Sequence, residues 1–467
     1  MNNRLKPYEE YKETELFYLE QIPKHWQLLR NKYIFTERNI RSKDGEEELL
    51  SLSQYTGVSR RKDKNLAGKG LLTNAETLVG YKIVKSLDLV MNIMLAWNGS
   101  LGISRFDGII SPAYCIFKVN ANYNPWYFHY LLKTGTMITA FKTLSTGVIE
   151  SRLRLYPESF YQLYSVVPPK EEQDQMVRFL DSKVSKINKF IKAKKRQIEL
   201  LKEQKQAIIN QAVTKGIDPD AKMKPSGIDW LGDIPEGWEV RPLKHFVKSN
   251  IETLTESFDK NATINYIDIS TVGFGELKLE PVQYVFKEAP SRARRVIHVG
   301  DTIISTVRTY LKSMCYIDEE LEGYIASTGF AVLTPSKEVF SKFLNYILSA
   351  DYFVNMVSQN SIGVSYPAIT ESKLVTIKIA ISPDIEEQKE ILEYIKPKTI
   401  AIDKAIVAIK KEIDLITEYR TTLISNVVTG KVDVRHIEVE DIIDSIEEDF
   451  EDLDEGELSE ELEMEEE

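Results

Sequence analysis

Two stretches of the chain carry the same spacing of apolar residues. In the first, Val177, Leu180, Val184, Ile187, Ile191, Lys194, Ile198, Leu201, Lys205, Ile208 and Ala212 fall at alternating intervals of three and four. In the second, Leu392, Ile395, Thr399, Ile402, Ile406, Ile409, Ile413, Ile416, Arg420, Leu423 and Val427 repeat the pattern 215 positions later. A three–four seam held over about five heptads predicts a coiled coil. Pro397 cannot sit inside a helix without a break, so each stretch is expected to split into a short helix (171–180, 386–395) and a long one (183–214, 398–429). A long helix of this kind spans roughly 48 Å. Lys205 and Arg420 occupy equivalent seam positions, where a basic residue costs stability unless it snorkels or finds an acceptor. A register-setting defect and a contact with DNA or a partner subunit both fit them.

The rest of the chain alternates differently. Short runs rich in β-branched and aromatic residues, bounded by Gly, Pro or Asp, predict strands near 49–55, 87–93, 113–119, 263–270, 301–306 and 330–334. The segments 124–134 and 341–350 predict short amphipathic helices. The longest apolar run, LDLVMNIMLAW, is about 11 residues and contains Asp88 and Asn92, so it predicts a buried strand and not a bilayer span.

These elements occur twice. IPKHW (22–26) returns as IPEGW (234–238), SLDLVMN (86–92) as VGDTIIS (299–305), and SPAYCIFKV (111–119) as STGFAVLTP (327–335). FHYLL (128–132) returns as LNYIL (344–348), and Gly147 of STGV falls over Gly363 of NSIGV. PPKEEQDQMVRFL (168–180) pairs with PDIEEQKEILEYI (383–395), and IINQAVTKG (208–216) with LISNVVTGK (423–431). The offset drifts by only a few residues across the chain, so the protein is a tandem duplication. The expected fold is α+β: two globules, each mixing strands and short helices, and two long helices pairing as an antiparallel coiled coil with pseudo-twofold symmetry. The divisions are 1–170, first globule; 171–215, first helical region; 216–385, second globule; 386–432, second helical region; and 433–467, an acidic tail.

Charge sharpens this layout. The net charge of −11 hides a segment, Ile437–Glu467, with 18 acids and no Lys or Arg. The remainder holds 53 acids against 60 bases, about +7, which is compatible with nucleic acid. The tail, a like-charge block, is expected to be disordered or a weak helix, serving solubility, a partner or DNA mimicry. Cys115 and Cys315 cannot build a disulfide framework, and the N-terminus has no apolar signal region. A cytoplasmic, reducing location is expected, without a membrane.

Candidate chemistry is sparse. His25, His129, His245, His298 and His436 form no HxxxH or HExxH pattern, so no metal site is expected. There is no GxxxxGK[ST] phosphate loop and no GxSxG elbow. NPWY (124–127) imitates the loop with which amino-methyltransferases hold a flipped adenine, but helix capping by Asn124 with Pro125 in the first turn accounts for it. Asp268, Glu276 and Lys278 imitate the D…ExK set of metal-dependent nucleases, without an equivalent in the first copy. Basic clusters are better represented. Arg60, Arg61, Lys62, Lys64 and Lys69 surround a Gly-rich stretch in the first copy, and Arg292, Arg294, Arg295, Arg308 and Lys312 lie in the second. Such residues neutralise phosphates, and arginine pairs bidentately with guanine. Two globules held at a fixed separation of about 14 base pairs would suit a split DNA target.

The combination of IPKHW and IPEGW, PPKEEQ and PDIEEQ, QAVTKGIDPDAKMKPSGIDWLGDIPEGWE (211–239) and NVVTGKVDVR (426–435) resembles the specificity subunits of Type I restriction–modification systems. The resemblance covers about residues 15–435. It implies that each globule is a target recognition domain reading one half of a bipartite double-stranded DNA sequence, with the coiled coil setting the spacer. It implies no catalysis and no cofactor in this chain. It implies as partners two methyltransferase subunits, which use S-adenosylmethionine, and restriction subunits, which use ATP and Mg. The family's base-reading residues vary with target, so none is carried over. Two other readings stay open from the residues alone: a duplicated metal-dependent DNA endonuclease using Asp268, Glu276 and Lys278, and a non-catalytic protein-binding scaffold.

Overall fold

The computed structural model describes residues 5–54, 57–60, 77–147, 152–228, 230–364 and 366–439. The acidic tail from residue 440 onward lies outside them. The chain divides into two compact units, one formed by 1–195 with 410–467 and the other by 196–409. Each unit therefore combines one globule with part of each long helix.

In the first unit an antiparallel four-stranded sheet has the order Phe35–Glu37, Tyr114–Val119, Asp88–Asn92, Leu101–Ile103. Asp88–Asn92 is buried throughout, as the apolar run Leu89–Met91 at its centre requires of a central strand. Helices α1 (Pro125–Leu132), α2 (Gly135–Leu144) and α3 (Pro157–Gln162) follow. Their apolar faces, Phe160 of α3 among them, join Phe35 and Phe117 in the principal core. The second unit repeats the arrangement: its sheet has the order Val247–Ser249, Phe330–Pro335, Thr302–Ser305, Met314–Tyr316. A second four-stranded sheet there includes a parallel pair, Thr263–Ile267 with Ile325–Ser327. Of the following helices, α5 (Ser341–Ser349) and α6 (Asp351–Gln359) correspond to α1 and α2. The sequence patterns predict α1 and α5; α2, α3 and α6 are additional helices of similar length that the sequence reading does not name.

The long helices are α4 (Lys170–Lys215), 46 residues, and α8 (Ile385–Val428), 44 residues. α7 (Glu371–Leu374) is a single turn before the last strand. The expected breaks are absent, and α8 continues through Pro397. Pro397 is exposed, while Ile395, Thr399 and Ile402 on the opposite side are buried. The missing backbone hydrogen bond thus falls on the solvent face, where water can take the freed carbonyl, and burial on both sides holds the helix together. Pro397→Ala is expected to raise stability by up to about 3 kcal/mol, seen as a higher thermal unfolding midpoint.

Within the first unit, Val184, Ile187, Ile191 and Leu423 are buried, and Ile413 and Ile416 are half-buried. Within the second, Ile402, Ile406 and Ile409 are buried, and Ile198, Leu201 and Ile208 are half-buried. Pairing is antiparallel: Arg420 donates to Asn188 Oδ1 at 2.7 Å while Lys194 meets Glu412 at 2.8 Å. In the second unit Lys205 meets Asp403 at 2.7 Å. Both basic seam residues thus find acceptors on the facing helix.

The duplicated motifs form the joint between globule and helix. Trp26 donates from Nε1 to Glu172 at 3.1 Å, and Trp238 likewise to Glu387 at 2.9 Å. Pro-x-x-Trp and Glu-Glu-Gln are therefore two sides of one contact. The adjacent glutamine does a second job twice. Gln173 accepts the backbone N–H of Asn124 at 2.9 Å and donates to Pro168 O at 2.8 Å. Gln388 accepts from Phe340 N at 3.0 Å and donates to Ser382 O at 2.9 Å. Asn124 and Phe340 are the residues preceding α1 and α5, so each glutamine ties the start of a globule helix to a long helix. Asn124 also caps α1 by accepting from Trp126 N, with Pro125 at the first position.

Candidate nucleic-acid interface

The fold separates the basic candidates. Arg60 ends the strand Gly57–Arg60, where it faces Glu48 at 3.3 Å and lies 4.6 Å over the Phe106 ring. Arg61, Lys62, Lys64 and Lys69 lie outside the described residues. In the second unit Arg294 is half-buried, stacks over Phe286 at 4.9 Å and donates to Ala293 O at 3.0 Å. Arg295, also half-buried, donates to Thr253 Oγ1 at 3.0 Å. These two brace the edge of the sheet. Arg292 is exposed near the Tyr266 hydroxyl.

Arg308 and Lys312 have a different setting. They flank the one-turn helix Thr309–Leu311, and both backbones are left-handed, φ 50° and 53°. That conformation is uncommon outside glycine, asparagine and aspartate. A second loop holds this turn in place. Thr309 N donates to Pro367 O at 3.3 Å, Thr309 Oγ1 bonds Ser361 Oγ at 2.8 Å, and Ile369 N donates to Thr306 O at 2.8 Å. Gly363 makes the second loop possible: at φ 126°, a Cβ there would approach Tyr366 O to 2.8 Å. The tip presents Tyr310, Leu311, Ile362 and Tyr366, all exposed, with the Arg308 guanidinium 5.0 Å over the Tyr366 ring. Exposed large apolar groups gathered around cations mark an interaction surface.

The first unit builds the corresponding turn, and the described base of the second loop, from other residues. Its turn holds the one-turn helix Ala96–Asn98 and closes with Asn92 N donating to Ser100 O at 3.0 Å. Gly99 takes the left-handed position, φ 95°, that Lys312 takes in the second unit. Met94 and Leu95 are exposed, and Trp97 donates to Met94 O at 2.8 Å with Lys142 over its ring at 5.7 Å. Gly147, φ 153°, matches Gly363, and the neighbouring Thr146 and Arg154 pair across the loop base. Repetition of Gly147 and Gly363 was visible in the sequence. The convergence of the two loops was not, because about fifty residues separate them.

The remaining candidates for chemistry are engaged otherwise. Asp268 accepts from the Tyr266 hydroxyl at 2.6 Å and from Ser270. Burial, together with that carboxylate, pushes the Tyr266 phenol up to about 12. Glu276 and Lys278 are exposed on a hairpin whose backbone closes on Gly273 and Thr271. Among the described residues no group of three His, Cys, Asp or Glu could hold a metal ion. His129 is buried, accepts from Ile103 N at 3.2 Å, and has its pKa pushed well down by burial and by the cations Lys133 and Arg105. His298 sits between Glu322 at 2.8 Å and Glu252 at 3.1 Å, which raise its pKa. Both thiols are free and buried, and burial pushes each up to about 11. Among the described residues no helix is long and apolar enough to cross a membrane.

Comparison with known proteins agrees with this arrangement. Residues 235–414 match the family described as the Type I restriction modification DNA specificity domain. The chain is 27% identical over 436 residues to the specificity subunit of the Type I restriction enzyme MjaVIII of Methanocaldococcus jannaschii, covering 89% of this chain and 95% of that protein. It is 22% identical over 319 residues to the specificity subunit of the Type I restriction enzyme EcoBI of Escherichia coli, 66% of each chain. It also resembles a solved chain described under complex assembly and conformational transition of the type I R-M system. There the TM-score is 0.62 at 15% identity, covering 88% of this chain and 99% of that one, a likeness of fold.

Proposed function

We infer that this chain, which belongs to the Type I restriction–modification DNA specificity family, is the specificity subunit of such a system. It recognises a split DNA sequence with two target recognition domains and itself catalyses nothing. The observation that carries this reading is the duplicated turn. Each globule offers a turn closed by the same hydrogen bond, Asn92 N to Ser100 O or Ser305 N to Ser313 O, on the same sheet order, but the turn residues differ between the copies. Equal scaffolds with unequal tips suit two different half-sites, and duplicated joints to long helices suit a fixed spacing between them. The tips supply cations for phosphates and side chains for base edges. Methylation with S-adenosylmethionine, and restriction with ATP and Mg, would fall to partner subunits assembled on this chain in the cytoplasm.

The test is selection from randomised duplex DNA by the full chain assembled with its methyltransferase partners. We expect two conserved half-sites at one fixed separation. Binding is expected to weaken steeply between 50 and 200 mM salt, by about a thousandfold for six phosphate contacts. Absence of any enriched sequence, or affinity indifferent to salt, would return the chain to a protein-binding scaffold. Cleavage of DNA by the chain alone in Mg, abolished by Glu276→Ala, would instead support the nuclease reading.

A further inference from the structure

We propose that the second recognition domain reads a guanine in its half-site with Arg308, held by Tyr366, while Lys312 grips a neighbouring phosphate. The proposal rests on the DNA-reading function above and assigns it to particular side chains.

The alignment of the two turns carries the argument. Ser305–Ser313 corresponds to Asn92–Ser100 position by position, which places Arg308 over Leu95, Tyr310 over Trp97 and Lys312 over Gly99. The turn's exit is left-handed in both copies. Glycine is the residue such a position favours, and the first copy has it. The second copy carries lysine there and places a second left-handed cation four residues earlier. A departure from local preference at two exposed cations points to a use for the charge. Arg308 and Lys312 are exposed and make no ion pair among the described residues, whereas Arg294 and Arg295 are occupied by Phe286 and Thr253.

The chemistry favours guanine. The Tyr366 ring lies under the Arg308 guanidinium and restrains its plane, leaving the donors directed along the edge. A restrained fork of donors matches the O6 and N7 acceptors of guanine in the major groove. Tyr310 and Ile362, both exposed beside it, can meet thymine methyl groups or the sugar edge. Thr309 anchors both loops from below, so the tip enters the groove already shaped.

The experiment repeats the selection with variants of the full chain in the complex. Arg308→Ala and Arg308→Lys are expected to leave the first half-site and the spacing unchanged. Both should relax one guanine position of the second half-site, with discrimination there falling about 10- to 100-fold. Lysine retains charge and bulk, so its failure isolates the fork geometry. Lys312→Gly, which restores the residue found in the first copy, should weaken all sequences alike and lower the salt slope by about one. Arg294→Ala should leave the motif as it is. An unchanged second half-site in both Arg308 variants, or a changed one in Arg294→Ala, overturns the assignment. Failure of the unmodified chain to enrich a split motif would overturn the DNA-reading function itself.

Discussion

Glu172→Ala is expected to destabilise the first unit by about 3–5 kcal/mol, because a buried carboxylate there serves four donors. Glu172 is 5% exposed. It accepts from Tyr8 Oη at 2.7 Å, Trp26 Nε1 at 3.1 Å and His25 Nε2 at 3.0 Å, and Arg435 Nε approaches to 3.4 Å. Burial, and then the bond to Glu172, hold the Tyr8 hydroxyl far above the usual phenol range, so it stays protonated and donates. Removing the carboxylate leaves the Tyr8 and Trp26 donors buried without an acceptor, each costing about 1–3 kcal/mol. The Arg435 contact is half-exposed and adds little. Glu172→Gln keeps one acceptor oxygen and should fall between. Glu387→Ala is the internal control: its half-buried carboxylate serves two donors, Trp238 and Ser382, where Glu172 serves four, and water can reach the site it vacates, so a smaller loss of about 2 kcal/mol is expected. Urea unfolding followed by tryptophan fluorescence measures the difference. Equal losses for the two glutamates would show that burial does not distinguish the joints.

That joint also shows what the sequence revealed and where it stopped. The phrases IPKHW and IPEGW, and the two EEQ triplets, were legible because they are spelled twice. Their mutual contact was not, since 146 residues separate Trp26 from Glu172 and 149 separate Trp238 from Glu387. The duplicated strands and α1 and α5 followed from composition and period. The break expected at Pro397 does not form, because burial of Ile395, Thr399 and Ile402 around it outweighs the local cost. The basic residues are the least legible in sequence. Arg292, Arg294 and Arg295 form the densest cluster in the second copy, yet two of the three lie half-buried against their own sheet. Arg308, a candidate with Lys312 in the sequence, is set apart from the other arginines only when Tyr366 is folded beneath it. A charge count cannot separate these cases, because the difference lies in what each guanidinium meets and how far it is exposed.

The two glycines that end the long helices look interchangeable in sequence, and replacing them should separate them sharply. Gly430→Ala is expected to cost about 3 kcal/mol or more, and Gly216→Ala about 1 kcal/mol. Both glycines are left-handed, φ 80° and 72°, as helix ends favour, so each substitution carries the same backbone penalty. The surroundings differ. A Cβ on Gly430 would lie 2.4 Å from Pro23 Cδ and 3.0 Å from Trp26 Cη2, against a proline ring that cannot swing aside. On Gly216 the nearest atom is Pro235 Cγ at 3.5 Å, an ordinary contact. The Gly430 carbonyl also accepts from Tyr11 Oη at 3.0 Å, and Val428 O accepts from Tyr127 Oη at 3.0 Å. Moving the helix end to relieve the clash would therefore loosen two further hydrogen bonds in the same core. The first recognition domain should be the casualty: in selection from randomised DNA, Gly430→Ala is expected to lose its half-site near the unfolding temperature while the second half-site persists. Equal losses of stability for the two glycine variants, or loss of the second half-site first, would contradict this account.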